Sequence, residues 1–192
     1  MTTRPIPPPV TVPVGAANFH IADGASGLVF DTPGAPYIGP LPITSEYIEI
    51  NQTNLMITAK TPSVYINSGN GDDTVTAFAG RNYLDGAAGN NVLIGATGID
   101  SFEVAADPTG SVTDVIKNFH AGDDILFTGL TANDFTVATS TVGGALQITA
   151  TSLRPDGPTA TLHILGYTAA DVASDRIAVT FSDRGMIVLG HG

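Results

Sequence analysis

The chain of 192 residues contains no cysteine and no tryptophan, so neither a disulfide framework nor a thiolate metal site is available to it. Charge is scarce as well: 13% of the residues are Asp, Glu, Lys or Arg, against roughly 25% in an ordinary soluble domain. Glu, Lys and Gln, the usual exposed residues of helices, are nearly missing, which argues against a helical bundle or a coiled coil. Basic residues number 7 against 18 acidic ones, and a net charge of −11 makes nucleic acid and anionic lipid poor partners. No apolar run approaches the ~18 residues a membrane-spanning helix needs, so membrane insertion is not expected. The first ten residues, MTTRPIPPPV, have no apolar stretch of the kind that marks a secretory signal peptide.

What is present points to short strands and tight turns. There are 22 glycines, Thr and Val are abundant, and the acids are overwhelmingly Asp, the bias of turns and of oxygen-rich metal loops. The expected fold class is all-β. Most of the 13 prolines lie before residue 43, so residues 1–40 read as a Pro-rich N-terminal arm of extended chain rather than a folded layer.

Residues 41–103 repeat every nine residues. Triplets centred on Ile48, Ile57, Ile66, Val75, Leu84, Leu93 and Phe102 all have an apolar centre. Gly71, Gly80, Gly89 and Gly98 join in phase, a coincidence with a chance on the order of 10⁻⁴. Two residues beyond each glycine stand Asp73, Asn82, Asn91 and Asp100. The period predicts a parallel β-roll: a three-residue strand, a six-residue turn, and two nonapeptides per coil, with alternate triplets stacked at ~4.8 Å. One sheet would stack Ile48, Ile66, Leu84 and Phe102; the other would stack Ile57, Val75 and Leu93. Glycine would serve positive φ or close backbone approach in the turns.

Residues 104–192 lose the period and read as an antiparallel β cap, which a solenoid needs to cover its last coil. Gly143-Gly144 would join a hairpin of residues 135–139 and 145–149, and further strands are expected at 159–164, 177–181 and 186–189. Residues 131–135 and 168–172 read as one-turn helices with Thr at the N-cap.

The segments Ser68-Gly-Asn-Gly-Asp-Asp-Thr-Val-Thr76, Ala77–Asp85, Gly86–Ile94 and Gly95–Glu103 resemble the Gly-Gly-x-Gly-x-Asp-x-U-x repeat of the RTX (hemolysin-type) family. Asp114-Val-Ile-Lys-Asn-Phe119 followed by Ala121-Gly-Asp-Asp124 is similar to the segment that closes such arrays, so the resemblance covers about residues 60–127. It implies a calcium β-roll, exported by a type I system and folding outside the cell, with each Ca²⁺ between two turns on one side of the roll. Transferred residue by residue, the ligand pairs are Asp73 with Asn91 and Asn82 with Asp100, with Asp123 and Asp124 as a further pair. Each of the first two pairs has one carboxylate where the family places two, and without metal Asn82 and Asn91 would simply cap turns. Asp72→Asn, at the outward fifth position, is expected to change stability neither with nor without calcium.

No His-Glu-x-x-His, Gly-x-Ser-x-Gly or P-loop occurs, His163 alternates with apolar residues on a strand, and no enzyme activity is expected. The function that follows is a secreted, non-enzymatic, calcium-binding module at a bacterial surface, structural, adhesive or self-assembling through its N-terminal arm. A cell-surface partner is possible on this reading, and Ile6, Val10, Val12 and Val14 would cover the first coil in cis or on a neighbour. Two alternatives stand beside it: a stand-alone secretion and stabilising module related to the C-terminal domains of type I-secreted enzymes, or a calcium-free ligand-binding solenoid.

Overall fold

Short strands with one buried centre stack in two parallel sheets, as the nine-residue period requires. The computed structural model describes residues 54–59, 62–105, 111–182 and 185–191, together with the backbone of strands 9–12, 18–23, 28–31 and 45–49. In chain order the strands are β1 (Pro9–Val12), β2 (Asn18–Asp23), β3 (Leu28–Asp31), β4 (Ser45–Glu49), β5 (Met56–Ala59) and β6 (Val64–Asn67). They continue as β7 (Thr74–Thr76), β8 (Asn82–Asp85), β9 (Val92–Ile94), β10 (Asp100–Ala105), β11 (Val112–Lys117) and β12 (Asp124–Thr128). One sheet runs β1-β5-β7-β9-β11 and the other β2-β4-β6-β8-β10-β12, every neighbour parallel.

The registers put Ile57, Val75, Leu93 and Ile116 in one column and Ile66, Leu84, Phe102 and Ile125 in the other. None of these eight side chains is more than 1% exposed. Each contributes about 1.5–3 kcal/mol by leaving water, so the columns are the main cohesive element of the roll.

The cap follows as β13 (Phe135–Val142), β14 (Ala145–Ser152), β15 (Thr159–Ile164), α1 (Ala169–Ala173), β16 (Ile177–Phe181) and β17 (Gly185–Gly190). Gly143 and Gly144, at φ 59° and 81°, make the two-residue turn expected between β13 and β14. The hairpin joins the first sheet through β15, which lies parallel to β11; β17 joins the second, antiparallel to β12. Leu146, Ile148, Leu162, Ile164, Met186 and Val188 are fully buried and close the core at this end.

Four expectations need correction. Tyr47, not Ile48, lies opposite Ile66, so β4 is one residue out of the nine-residue register. The in-phase glycine positions before residue 68 hold Thr53 and Pro62, and no glycine turn fixes the loop length there. Parallel stacking also runs past residue 103 to Thr128, because β11 and β12 add one more coil of 23 residues rather than eighteen, and the antiparallel cap begins only at β13. Within the arm, β1 extends the first sheet beside β5 and β2 extends the second beside β4, so its backbone is partly strand. Pro9 is tolerated because it opens an edge strand. The side chains of Ile6, Val10, Val12 and Val14 lie outside the described residues. Finally, residues 131–135 form a single hydrogen-bonded turn, Phe135 N–H to Thr131 O at 3.1 Å, that passes straight into β13, whereas α1 is the helix expected after Thr168.

The turns pack at their glycines. A Cβ on Gly89 (φ +116°) would lie 1.9 Å from the carbonyl oxygen of Gly71, and one on Gly98 (φ +142°) 2.0 Å from that of Gly80. Gly89→Ala and Gly98→Ala should therefore each cost about 3 kcal/mol or more, the left-handed penalty plus a forced separation of coils. Gly143→Ala, where a Cβ meets nothing within 4 Å, should cost only about 1–2 kcal/mol. Urea unfolding of the three variants checks the difference; equal losses would contradict the close turn-to-turn packing.

Candidate functional site

At each corner of the roll the amide of the first residue of a strand, or of the residue just before it, is bonded by a side chain of the next coil. The Asx residue one coil later supplies the acceptor. On one wall, Asp73 Oδ1 accepts the Leu55 N–H (2.7 Å), Asn91 Oδ1 that of Asp73 (3.0 Å), and Asp114 Oδ1 that of Asn91 (2.8 Å). On the other wall, Asn82 Oδ1 accepts the Val64 N–H (3.2 Å), Asp100 Oδ1 that of Asn82 (3.3 Å), and Asp123 Oδ1 that of Asp100 (2.8 Å). All six side chains are essentially buried. The predicted pairs, Asp73 with Asn91 and Asn82 with Asp100, are therefore neighbours as expected. Asp123 belongs to the second column, but Asp124 does not: it accepts a hydrogen bond from Ser101 Oγ (2.7 Å) beside the column, on the outer side of β12.

A second ladder runs beside the first on the exposed side. Asn54 Oδ1 accepts the Asp72 N–H (2.8 Å), Asp72 Oδ1 the Asn90 N–H (2.9 Å), and Asn90 Oδ1 the Thr113 N–H (2.8 Å). Its side chains reach forward to the next coil, whereas the buried ladder reaches back. Asp72 is thus a rung of this outer ladder. Asn54, Asp72 and Asn90 recur every eighteen residues, a signal legible in the sequence; Asp114 was hidden because the last coil is five residues longer.

The oxygens of this set are the right type for a hard cation. Most are engaged with amides: Asp100 Oδ1 also accepts Asn82 Nδ2 (2.7 Å), Asp100 Oδ2 the Ala96 N–H (2.6 Å), and Asp123 Oδ2 the His120 N–H (2.7 Å). Asp114 Oδ2, by contrast, is buried and accepts no hydrogen bond. In the following strand Leu162 occupies the place where a further Asx would stand, so the column ends at Asp114. These oxygens are of the donor type calcium takes, and Asp114 Oδ2 is one that no described donor engages. Among the described residues no group of three or more His, Asp or Glu converges as a ready metal cluster.

Burial dominates the electrostatics. Desolvation pushes the Asp114 carboxyl up to about 7, with the charge of Asp72 adding to the rise. Asp100, Asp123 and Asp124 are also raised, in each case chiefly by burial. On the outer face of β6, β8 and β10, Tyr65 donates to Asp85 (3.3 Å), Asn67 Nδ2 to the same oxygen (2.5 Å), and Tyr83 to Glu103. Burial and the charge of Glu103 raise Asp85 to about 6, and both tyrosine hydroxyls are held above their ordinary range by burial and the same carboxylates. Sequence reading did not single out this strip.

A carboxyl raised on folding binds its proton more tightly in the native state. The associated stability is therefore fully present below about pH 4 and is lost as pH rises through 6 to 7, the values of Asp85 and Asp114. In EDTA the protein should melt at a lower temperature at pH 8 than at pH 5. Asp114→Asn should remove much of that difference and stabilise the pH 8 state by a few kcal/mol, order of magnitude. Thermal unfolding at the two pH values checks this; an unchanged pH dependence would show that Asp114 is not the buried titrating group.

No protein family, characterised protein or solved structure compared with the chain gives a match, so function rests on the ladder and the core that it joins.

Proposed function

We propose that the chain is a secreted, non-enzymatic structural module, an RTX-like β-roll that works as a self-assembling or adhesive element at a bacterial surface. The observation that carries this reading is the use made of each repeat: its apolar centre enters a core column and its Asx residues bind the neighbouring coil. The polar residues most available for chemistry are engaged in coil-to-coil contacts. The resemblance of the repeat supplies the secreted setting.

Edge chemistry favours assembly at the cap end. β13 is the outer strand of its sheet, eight residues long, and its sequence FTVATSTV contains neither charge nor proline. The Leu153 N–H to Asp134 O bond fixes the alternation of the hairpin, so Val137, Thr139 and Thr141 turn their amides away from β14. Light scattering of the full chain over a range of concentrations tests the reading. Mass should grow with concentration, and Thr139→Pro should reduce that growth while the melting temperature stays near that of the parent, since its amide has no ladder role. A monomer at every concentration would overturn self-assembly.

A second reading, calcium binding, is favoured by the orphaned Asp114 Oδ2, with Asp73, Asn91 and Asp114 as the residues that would hold the ion. Asn91 stands between two carboxylates of one column, and Asn82 stands at the head of the other, before Asp100 and Asp123. Replacing either by Asp removes an amide donor, Asn82 Nδ2 to Asp100 or Asn91 Nδ2 to the Gly86 carbonyl, and sets like charges together. In EDTA Asn91→Asp should lower stability by about 2–4 kcal/mol, and millimolar Ca²⁺ should reverse the sign. Melting curves that ignore calcium in both parent and variant would remove the ion from the account.

A further inference from the structure

On a chain of net charge −11, two of the four Lys and Arg residues among the described residues line one cavity. It lies at the cap end of the roll, with a volume of about 440 Å³, between the end of β11 and the turn from β15 into α1. Lys117 and Arg176 stand on its walls together with Phe119, Leu165, Gly166 and Tyr167. On the aromatic side Phe119 packs edge-on against Tyr167 at 5.9 Å and lies tilted against Phe102 at 6.2 Å. The Gly166 side is open, since a Cβ there would meet nothing within 4 Å.

Three of the lining residues carry donors without a full complement of acceptors among the described residues. The Lys117 ammonium makes no ion pair or hydrogen bond with any described residue, and the Tyr167 hydroxyl has no hydrogen-bond partner among them. Arg176 lies over the Tyr167 ring at 5.4 Å and uses Nη1 on Asp171 at 2.6 Å, leaving its other guanidinium donors. From these placements we infer that the cavity bounded by Lys117, Tyr167 and Arg176 is a binding site for a small monocarboxylate with a ring or short apolar body.

Charge decides the class of anion. Lys117 and Arg176 bring two positive charges and Asp171 returns one negative, so the site balances a single negative charge and not the two of a phosphate. A guanidinium presents parallel donors that suit a carboxylate, and the ammonium and phenol add donors without geometric demand. Leu165, 40% exposed, supplies the apolar surface against which the body of the ligand packs, backed by the buried rings of Phe119 and Tyr167. The site lies outside the Asx ladders and does not depend on calcium or on self-assembly.

Benzoate, with benzamide as its neutral isostere and inorganic phosphate as the dianionic arm, tests the assignment on the full chain. In two-dimensional NMR titrations benzoate should shift the amides of residues 117–119 and 165–167 saturably, and benzamide and phosphate should do so much more weakly. Lys117→Gln should raise the benzoate Kd roughly tenfold with little change in melting temperature, because the ammonium holds nothing in the protein. Tyr167→Phe should raise it severalfold while keeping the ring stack. Equal shifts with benzamide, tighter binding of phosphate, or a benzoate Kd unchanged in Lys117→Gln would each overturn the proposal.

Discussion

A buried backbone amide at a coil corner is the constraint on which the rest of this roll depends. Within the sheets, parallel neighbours satisfy the backbone, but the residue that enters each strand has its N–H turned along the axis, inside the protein. Leaving such a donor unpaired costs about 1–3 kcal/mol, and the roll would incur that at every corner. Asx side chains, long enough to reach one coil back and short enough to stay in the corner, remove the penalty. Residues such as Asp73 and Asn82 are thereby tied to the turn that precedes each strand, and the six-residue turn is tied to the glycines that let successive coils touch. The columns of Ile, Val, Leu and Phe supply the cohesion, and the ladder sets the rise at which those columns can stack.

The same device explains the alternation of Asn and Asp. A carboxylate is the stronger acceptor, but burial disfavours its charge, and two carboxylates in successive rungs disfavour each other. Asn91 separates Asp73 from Asp114, and the Nδ2 of Asn82 donates to Asp100, so an amide in each column relieves the charge. Where Asp100 is followed directly by Asp123, both carboxylates gain extra amides, from Ala96 and from His120. Asp114 has no such relief on its second oxygen, and it carries the higher of the two acid values, about 7.

Much of this was legible in the residues. The apolar centres and the in-phase glycines specify a coil length of eighteen, and the structure keeps that length from Ile57 and Ile66 through Phe102. The hairpin at Gly143-Gly144 and the strand at 159–164 were equally plain, because a two-residue glycine turn and strict alternation are local signals. Three things were not local. Tyr47 faces Ile66 because no glycine turn holds the earlier loops to length, and period alone cannot set a register. Asp114 and the coil of β11 and β12 lie 23 residues on, so a search at nine or eighteen passes over them. The Lys117, Tyr167 and Arg176 cavity joins segments nearly sixty residues apart, and no periodicity brings them together.

Native-state hydrogen exchange of individual amides tests the ladder most directly. The N–H groups of Leu55, Asp73 and Asn91 on one wall, and of Val64, Asn82 and Asp100 on the other, should exchange only through global unfolding, as slowly as the central strand amides of Val75 and Leu84. If these six amides instead exchange as fast as those of the Gly143-Gly144 turn while the strand amides remain protected, the corners are not held by Asx side chains and the account fails at its base.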